Sequence, residues 1–227
     1  MEDDYSLLAR TALFEGITRE EIAALCGAYR CRSAHYPKGS VLWRREERVT
    51  RAGIVLSGCV QAEQNGADGT LRIAARHGPG ALFGDVLTAS RAQTSPVDIV
   101  AAEDTRVLFL PLTELVRGGG GAPRAAEERF RLNLLAELSD KYWGLYRRLG
   151  YLSAPTTRAK LARRLLAEGK PQFTLRQTRE ALAAELGVNR SAMSRELGGL
   201  AREGLLTVRR GSFTLHDVPA LRRIAEG

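Results

Sequence analysis

Arginine and small hydroxyl side chains crowd into residues 189–197, Asn-Arg-Ser-Ala-Met-Ser-Arg-Glu-Leu, a set rich in donors that base edges can accept. A guanidinium at Arg190 or Arg195 can give two hydrogen bonds to the O6 and N7 edge of guanine, while Ser191 and Ser194 can reach base edges or phosphates. Such contacts need a helix laid in a groove. Met193, Leu197 and Leu200 recur at i, i+4 and i+7, so one apolar stripe faces a core and Ser191, Ser194 and Arg195 lie away from it. Asn189 is a suitable N-cap, which puts Arg190 in the first turn.

The elements that must hold this helix are also legible. Thr178 caps a shorter helix that opens with Arg179 and draws its packing from Ala181, Leu182, Ala184, Leu186 and Val188, while Glu180 and Glu185 are expected to face solvent. Gly187 makes the turn, and the pair reads as a helix-turn-helix. Residues 205–208 and 212–215 are β-prone runs joined through Arg209, Arg210 and Gly211, a hairpin that forms the wing of a winged helix. Arg209 and Arg210 at its tip would meet phosphates, adding affinity and salt dependence but little sequence information.

Charge distribution agrees. Residues 151–227 hold 14 Lys and Arg against 7 Asp and Glu, whereas residues 1–150 hold 20 against 19, so nearly all of the net +8 belongs with the helix-turn-helix. Cys26, Cys31 and Cys59 are too few for a disulfide framework and predict a reducing compartment. The acidic start, Met1-Glu2-Asp3-Asp4, lacks the pattern of a secretion signal. No apolar run approaches the roughly 20 residues that span a bilayer. A cytoplasmic protein without membrane partners is expected.

Upstream, the periodicity changes twice. A helical pattern from about Leu7 to Tyr29 includes Thr18-Arg19-Glu20-Glu21, similar to a capping box. Residues 34–110 then show short alternating runs at 52–56, 60–62, 71–75, 97–101 and 107–109, punctuated by glycines that include Gly53, Gly58, Gly66, Gly69 and Gly84, which predicts an antiparallel barrel or roll. After the flexible Gly118–Gly121 run, Leu135, Leu138, Tyr142, Leu145, Leu149 and Leu152 alternate steps of three and four. That seam predicts a parallel homodimer along one helix, with two recognition helices about one DNA turn apart on a palindromic operator. Ala154-Pro155 marks the last boundary. The expected fold is α+β, with a sensing β-roll and N-terminal helix over 1–122, a dimerisation helix over 123–153 and a winged helix-turn-helix over 154–227.

A roll, a long helix and a winged helix in this order resemble the CRP/FNR family of bacterial transcription regulators. The likeness rests on residues 53–58 (Gly-Ile-Val-Leu-Ser-Gly), residues 78–85 (Gly-Pro-Gly-Ala-Leu-Phe-Gly-Asp) and the 189–195 motif. It implies base-reading roles for Arg190, Ser191, Ser194 and Arg195, phosphate contacts from Thr178 and Arg179, and RNA polymerase as a partner. The family often has an acid where Ser191 stands, so the operator need not follow the family's best-known consensus.

The effector region departs further from that family. Cyclic-nucleotide-binding members resemble one another in a Phe-Gly-Glu element and a later Arg-Ser pair. This chain has Phe83-Gly84-Asp85 and Thr94-Ser95, so a phosphate would lack its guanidinium unless Arg91 replaced it, and tight cyclic-AMP binding is not expected. A different small effector is expected instead, with Gly84, Asp85, Thr94, Ser95, Asn133 and Lys141 as candidate contacts. Three cysteines do not complete a four-thiolate iron–sulfur site, and His35, His77 and His216 are scattered singly, so no cofactor is expected. Cys26 and Cys31 are either a thiol switch or structural. No motif of enzymatic chemistry stands out. A regulator that binds DNA without an effector and keeps a vestigial roll is the alternative.

Overall fold

The computed structural model describes residues 2–65, 71–91, 93–175 and 177–226, so Gly66 and Gly69 lie outside the described residues. The chain forms two units, Met1–Ser139 and Asp140–Gly227.

In the first unit, α1 (Glu2–Leu8), a 3-10 turn (Ala12–Phe14) and α2 (Arg19–Ala28) come first. The strands are β1 (Arg32–Tyr36), β2 (Val41–Trp43), β3 (Ala52–Ser57), β4 (Val60–Asn65), β5 (Leu71–His77), β6 (Leu82–Phe83), β7 (Asp98–Ala101) and β8 (Thr105–Leu110). A short helix, α3 (Asp85–Ala89), follows β6, and α4 (Leu112–Arg117) and α5 (Arg124–Leu152) follow β8. The strands pair antiparallel in two sheets, ordered β1-β8-β3-β6 and β2-β7-β4-β5.

Period-two alternation along β3 serves two cores at once. Ala52, Ile54 and Leu56 pack with Leu25, Leu110 and Phe130 on the helical side. Val55 points between the sheets to join Trp43, Val60, Phe83 and Val107. Thr18 and Glu21 form the expected capping box, each accepting the other's backbone N–H. The ring of Phe130 on α5 lies 5.6 Å from that of Phe14, which fixes the first turns of α5 against the N-terminal segment.

The second unit contains α6 (Thr157–Leu166), β9 (Gln172–Thr174), α7 (Arg179–Glu185), α8 (Arg190–Arg202), β10 (Leu206–Arg209), β11 (Ser212–Leu215) and α9 (Val218–Glu226), with strands ordered β10-β11-β9. Its core joins Leu161, Leu165, Leu182, Met193, Leu200 and Phe213. The molecule is an α+β protein with a sheet domain, a long helix and a helix-turn-helix.

Candidate nucleic-acid interface and effector region

The helix-turn-helix is built by local chemistry. Thr178 Oγ1 accepts the Ala181 N–H at 3.1 Å and starts α7. Gly187 at φ +61 reverses the chain, a left-handed conformation that favours glycine, and a Cβ there would lie 2.9 Å from the terminal methyl of Leu152, which would have to shift. Asn189 Oδ1 then caps α8 by accepting from Ser191 N at 2.8 Å. Met193, Leu197 and Leu200 are buried, which rotates Arg190, Ser194 and Arg195 outward into solvent. The α7 packing differs in detail from the sequence reading, because Leu182, Ala183 and Leu186 are buried while Ala181 and Ala184 are exposed.

Some side chains at this surface carry contacts that spacing does not announce. Ser191 is exposed and donates its hydroxyl to Asn189 Oδ1 at 2.7 Å. Glu180 is exposed as expected, whereas Glu185 is half-buried. Glu185 Oε1 accepts from Arg164 Nε at 2.7 Å, and Glu180 Oε1 meets Arg190 Nε at 2.9 Å. This ion pair is made through Nε, so the two terminal nitrogens of Arg190 can still donate elsewhere. Glu180 therefore positions Arg190. If Arg190 reads a guanine, Glu180→Ala is expected to reduce discrimination there by about threefold, within the few tenths to 1 kcal/mol of an exposed pair, as checked by competition between operator and substituted duplexes.

The wing closes through Arg210 at φ +46 and Gly211 at φ +87, the pair of positive φ values of a type I′ hairpin turn, with Arg209 opposite Ser212. Arg209 and Arg210 are exposed at its tip. Phe213 stacks on Phe173 at 5.3 Å, and the Arg179 guanidinium lies 5.5 Å over the Phe213 ring. A hollow of about 540 Å³ between Thr178, Arg179 and Arg210 adjoins this stack, and its two guanidinium groups suit a phosphate.

Sequence reasoning missed Arg163 and Arg164 on α6. Arg163 donates from Nε to Ala225 O at 2.6 Å and from Nη1 to Gly150 O at 2.9 Å, so it ties α9 to the last turn of α5. Arg164 lies 5.9 Å over the Tyr151 ring. Periodicity speaks for the leucines on either side of them, Leu161, Leu165 and Leu166, and is silent about bonds to backbone carbonyls.

The predicted effector contacts are dispersed. Gly84, at φ +71, lets the Trp43 ring approach so closely that a Cβ would lie 2.5 Å from it, and Trp43 and Phe83 rings sit 5.0 Å apart between the sheets. Asp85 is buried at the start of α3 and lines a cleft formed with α4 and α5. Ser95 is buried with Oγ donating to Val97 O at 2.6 Å, so its hydroxyl serves a turn. Thr94 is exposed and pairs in a β-bridge with Arg48. Asn133 donates its amide to Leu13 O at 3.1 Å and Glu15 O at 2.8 Å, which makes it a strut between α5 and the N-terminal segment. Lys141 is exposed on α5 in the second unit, and Arg91 is exposed.

Of the seam residues, Leu135, Tyr142, Leu145 and Leu149 are each at least 58% exposed, Leu152 is less so, and Leu138 is partly buried on the core of its own unit. The stripe is thus largely uncovered within one chain. Cys26 is buried beside Cys31, and both are free thiols. A hydrogen bond between them holds the Cys26 thiol below its usual range and pushes Cys31 up. Among the described residues, no helix is long and apolar enough to cross a membrane.

Residues 33–117 match the cyclic nucleotide-binding domain, and residues 159–224 match the Crp-like helix-turn-helix domain. The chain is 29% identical over 219 residues to the Cyclic AMP receptor protein of Thermus thermophilus, covering 95% of this chain and 97% of that one. It is 25% identical over 197 residues to the transcriptional regulatory protein btr of Bordetella pertussis, covering 82% and 78% of the two chains. Its fold is similar to that of a CooA mutant from Carboxydothermus hydrogenoformans, with 21% identity, a TM-score of 0.57 and coverage of 88% and 89%.

Proposed function

We propose, on the premise that this chain belongs to the CRP/FNR family of bacterial transcription regulators, that it acts in the cytoplasm as a homodimer on palindromic operators and is gated by a small effector other than cyclic AMP. The observation that carries this reading is the pairing, in one chain, of an outward arginine-bearing α8 with a largely uncovered leucine seam on α5. Arg190, Ser191, Ser194 and Arg195 read bases. Thr178, Arg179, Arg209 and Arg210 hold phosphates. Leu135, Leu138, Tyr142, Leu145, Leu149 and Leu152 join two copies, and RNA polymerase is the further partner expected of such a regulator.

Gating requires that the effector bind the two states of the protein with different affinity. α5 passes from the first unit into the second, and Arg163 clasps its last turn, so a change at α5 has a covalent route to the DNA-binding helices. Footprinting with and without a small-molecule extract tests this. Changed occupancy supports gating, and unchanged occupancy supports an effector-independent regulator.

The Thermus thermophilus relative is a cyclic AMP receptor by name. This chain places Thr94 and an occupied Ser95 where the resemblance would require Arg-Ser, and Trp43 fills the space beside Gly84. Calorimetric titration with cyclic AMP is therefore expected to show no binding as tight as about 1 μM, a free energy of roughly −8 kcal/mol. Micromolar binding would overturn this part of the reading.

A further inference from the structure

We propose that the Asp85-bearing cleft and the Gly118–Gly121 loop together form a site for an amphipathic organic anion, with its apolar body against α4 and α5 and its carboxylate or phosphate head on Arg117, Arg124 and Arg131. This deepens the effector reading above and rests on it.

The cleft encloses about 450 Å³, within the roughly 300–1,000 Å³ of small-molecule pockets. Leu112 and Val116 of α4 and Leu134 and Leu138 of α5 supply its apolar walls. Two polar side chains along it are already engaged, since Thr88 Oγ1 donates to Asp85 O at 2.9 Å and Thr113 Oγ1 to Thr88 O at 3.4 Å. Arg117 and Arg131 stand at the loop end. Each adjoins the apolar wall of its own helix, Arg117 directly after Val116 and Arg131 one turn before Leu134.

A second depression, of about 540 Å³, continues from there around the glycine loop and shares Val116, Arg117 and Arg131 with the first. It adds Arg124. The acid in this depression, Glu127, is engaged elsewhere, because it accepts from the Tyr29 hydroxyl and from Gly119 N at 3.3 Å. It lies 3.8 Å from Arg131 Nη1, a loose pair, and among the described residues Arg117 and Arg124 have no hydrogen bond or ion pair. Three guanidinium groups against Glu127 at the loop end and Asp85 in the cleft leave an excess of positive charge, gathered at the loop end and suited to an anionic head. Such a ligand would touch Leu138 of the seam and so bear on the pairing of α5.

The test uses the full-length protein and three eight-carbon probes, octanoate, octyl phosphate and neutral 1-octanol, in calorimetric titrations below their aggregation limits. At least one anion is expected to bind about tenfold more tightly than octanol, and the better anion identifies the head group. Arg117→Gln and Arg131→Gln should each weaken that anion by about tenfold and leave octanol unchanged. Val116→Asp, at an exposed position on the cleft wall, should weaken all three. Equal binding of octanol and both anions, no binding of any probe, or arginine variants that bind as the parent does would overturn the proposal. Operator binding without probes serves as the separate control. If the anion binds as described and operator occupancy does not respond to it, the site stands and the gating reading falls.

Discussion

Leu145→Glu is expected to leave the chain folded but monomeric and to weaken its grip on a palindromic duplex by about 10²–10⁴-fold, the scale lost when two linked contacts become one. Leu145 is 58% exposed, so a carboxylate there disturbs no core of the isolated chain. In a parallel pair of α5 helices, the same position would place two carboxylates face to face at a d site. Each large side chain that loses its burial forfeits roughly 1.5–3 kcal/mol, and like charges add repulsion. Sedimentation equilibrium reads the mass, thermal melting the fold, and gel shift at fixed salt the affinity. A variant that stays dimeric, or one that becomes monomeric and binds the palindrome as before, would refute the seam.

Arg195→Ala is expected to relax base preference at one position in each half-site. Arg195 is exposed on the face of α8 opposite Met193 and Leu197, and among the described residues its guanidinium has no hydrogen bond or ion pair, so its fork can serve a guanine edge. Losing one bidentate contact costs about 1–3 kcal/mol, and two-fold symmetry makes the loss double on a full operator. Arg210→Ala should behave differently. A wing-tip phosphate contact carries no sequence information, so its loss should weaken all sequences alike and lower the salt slope by about one per protomer. Binding selections for both variants at two salt concentrations separate the two roles. Unchanged preference in Arg195→Ala would remove it from the base-reading set.

The helix-turn-helix could be read from sequence because its chemistry is local. Caps at Thr178 and Asn189, the turn at Gly187 and the stripe through Met193 and Leu200 each sit within a few residues of what they shape. The strands 52–57 and 60–65 were legible in part for the same reason, through the alternating runs 52–56 and 60–62, since alternation marks a face. β1, with Arg-Ser-Ala-His-Tyr, carried no such mark and is an edge strand fixed by its pairing with β8. β9 is three residues long and owes its place to β11, so it too was invisible without the partner. Long-range polar contacts escaped altogether. Nothing near Asn133 in sequence announces that its amide binds carbonyls of Leu13 and Glu15, and nothing near Ser95 announces that its hydroxyl donates to Val97 O. The apolar cleft needed α4 and α5 side by side, a placement that spacing within either helix does not contain.

The most direct measurement is selection from a random duplex pool by the full-length protein at moderate salt, followed by sequencing and by determination of the mass of the selected complex. The account predicts a two-fold-symmetric motif with half-sites about one helical turn apart and two copies of the chain per duplex. No enrichment, or a single unsymmetrical motif held by one copy, would contradict it.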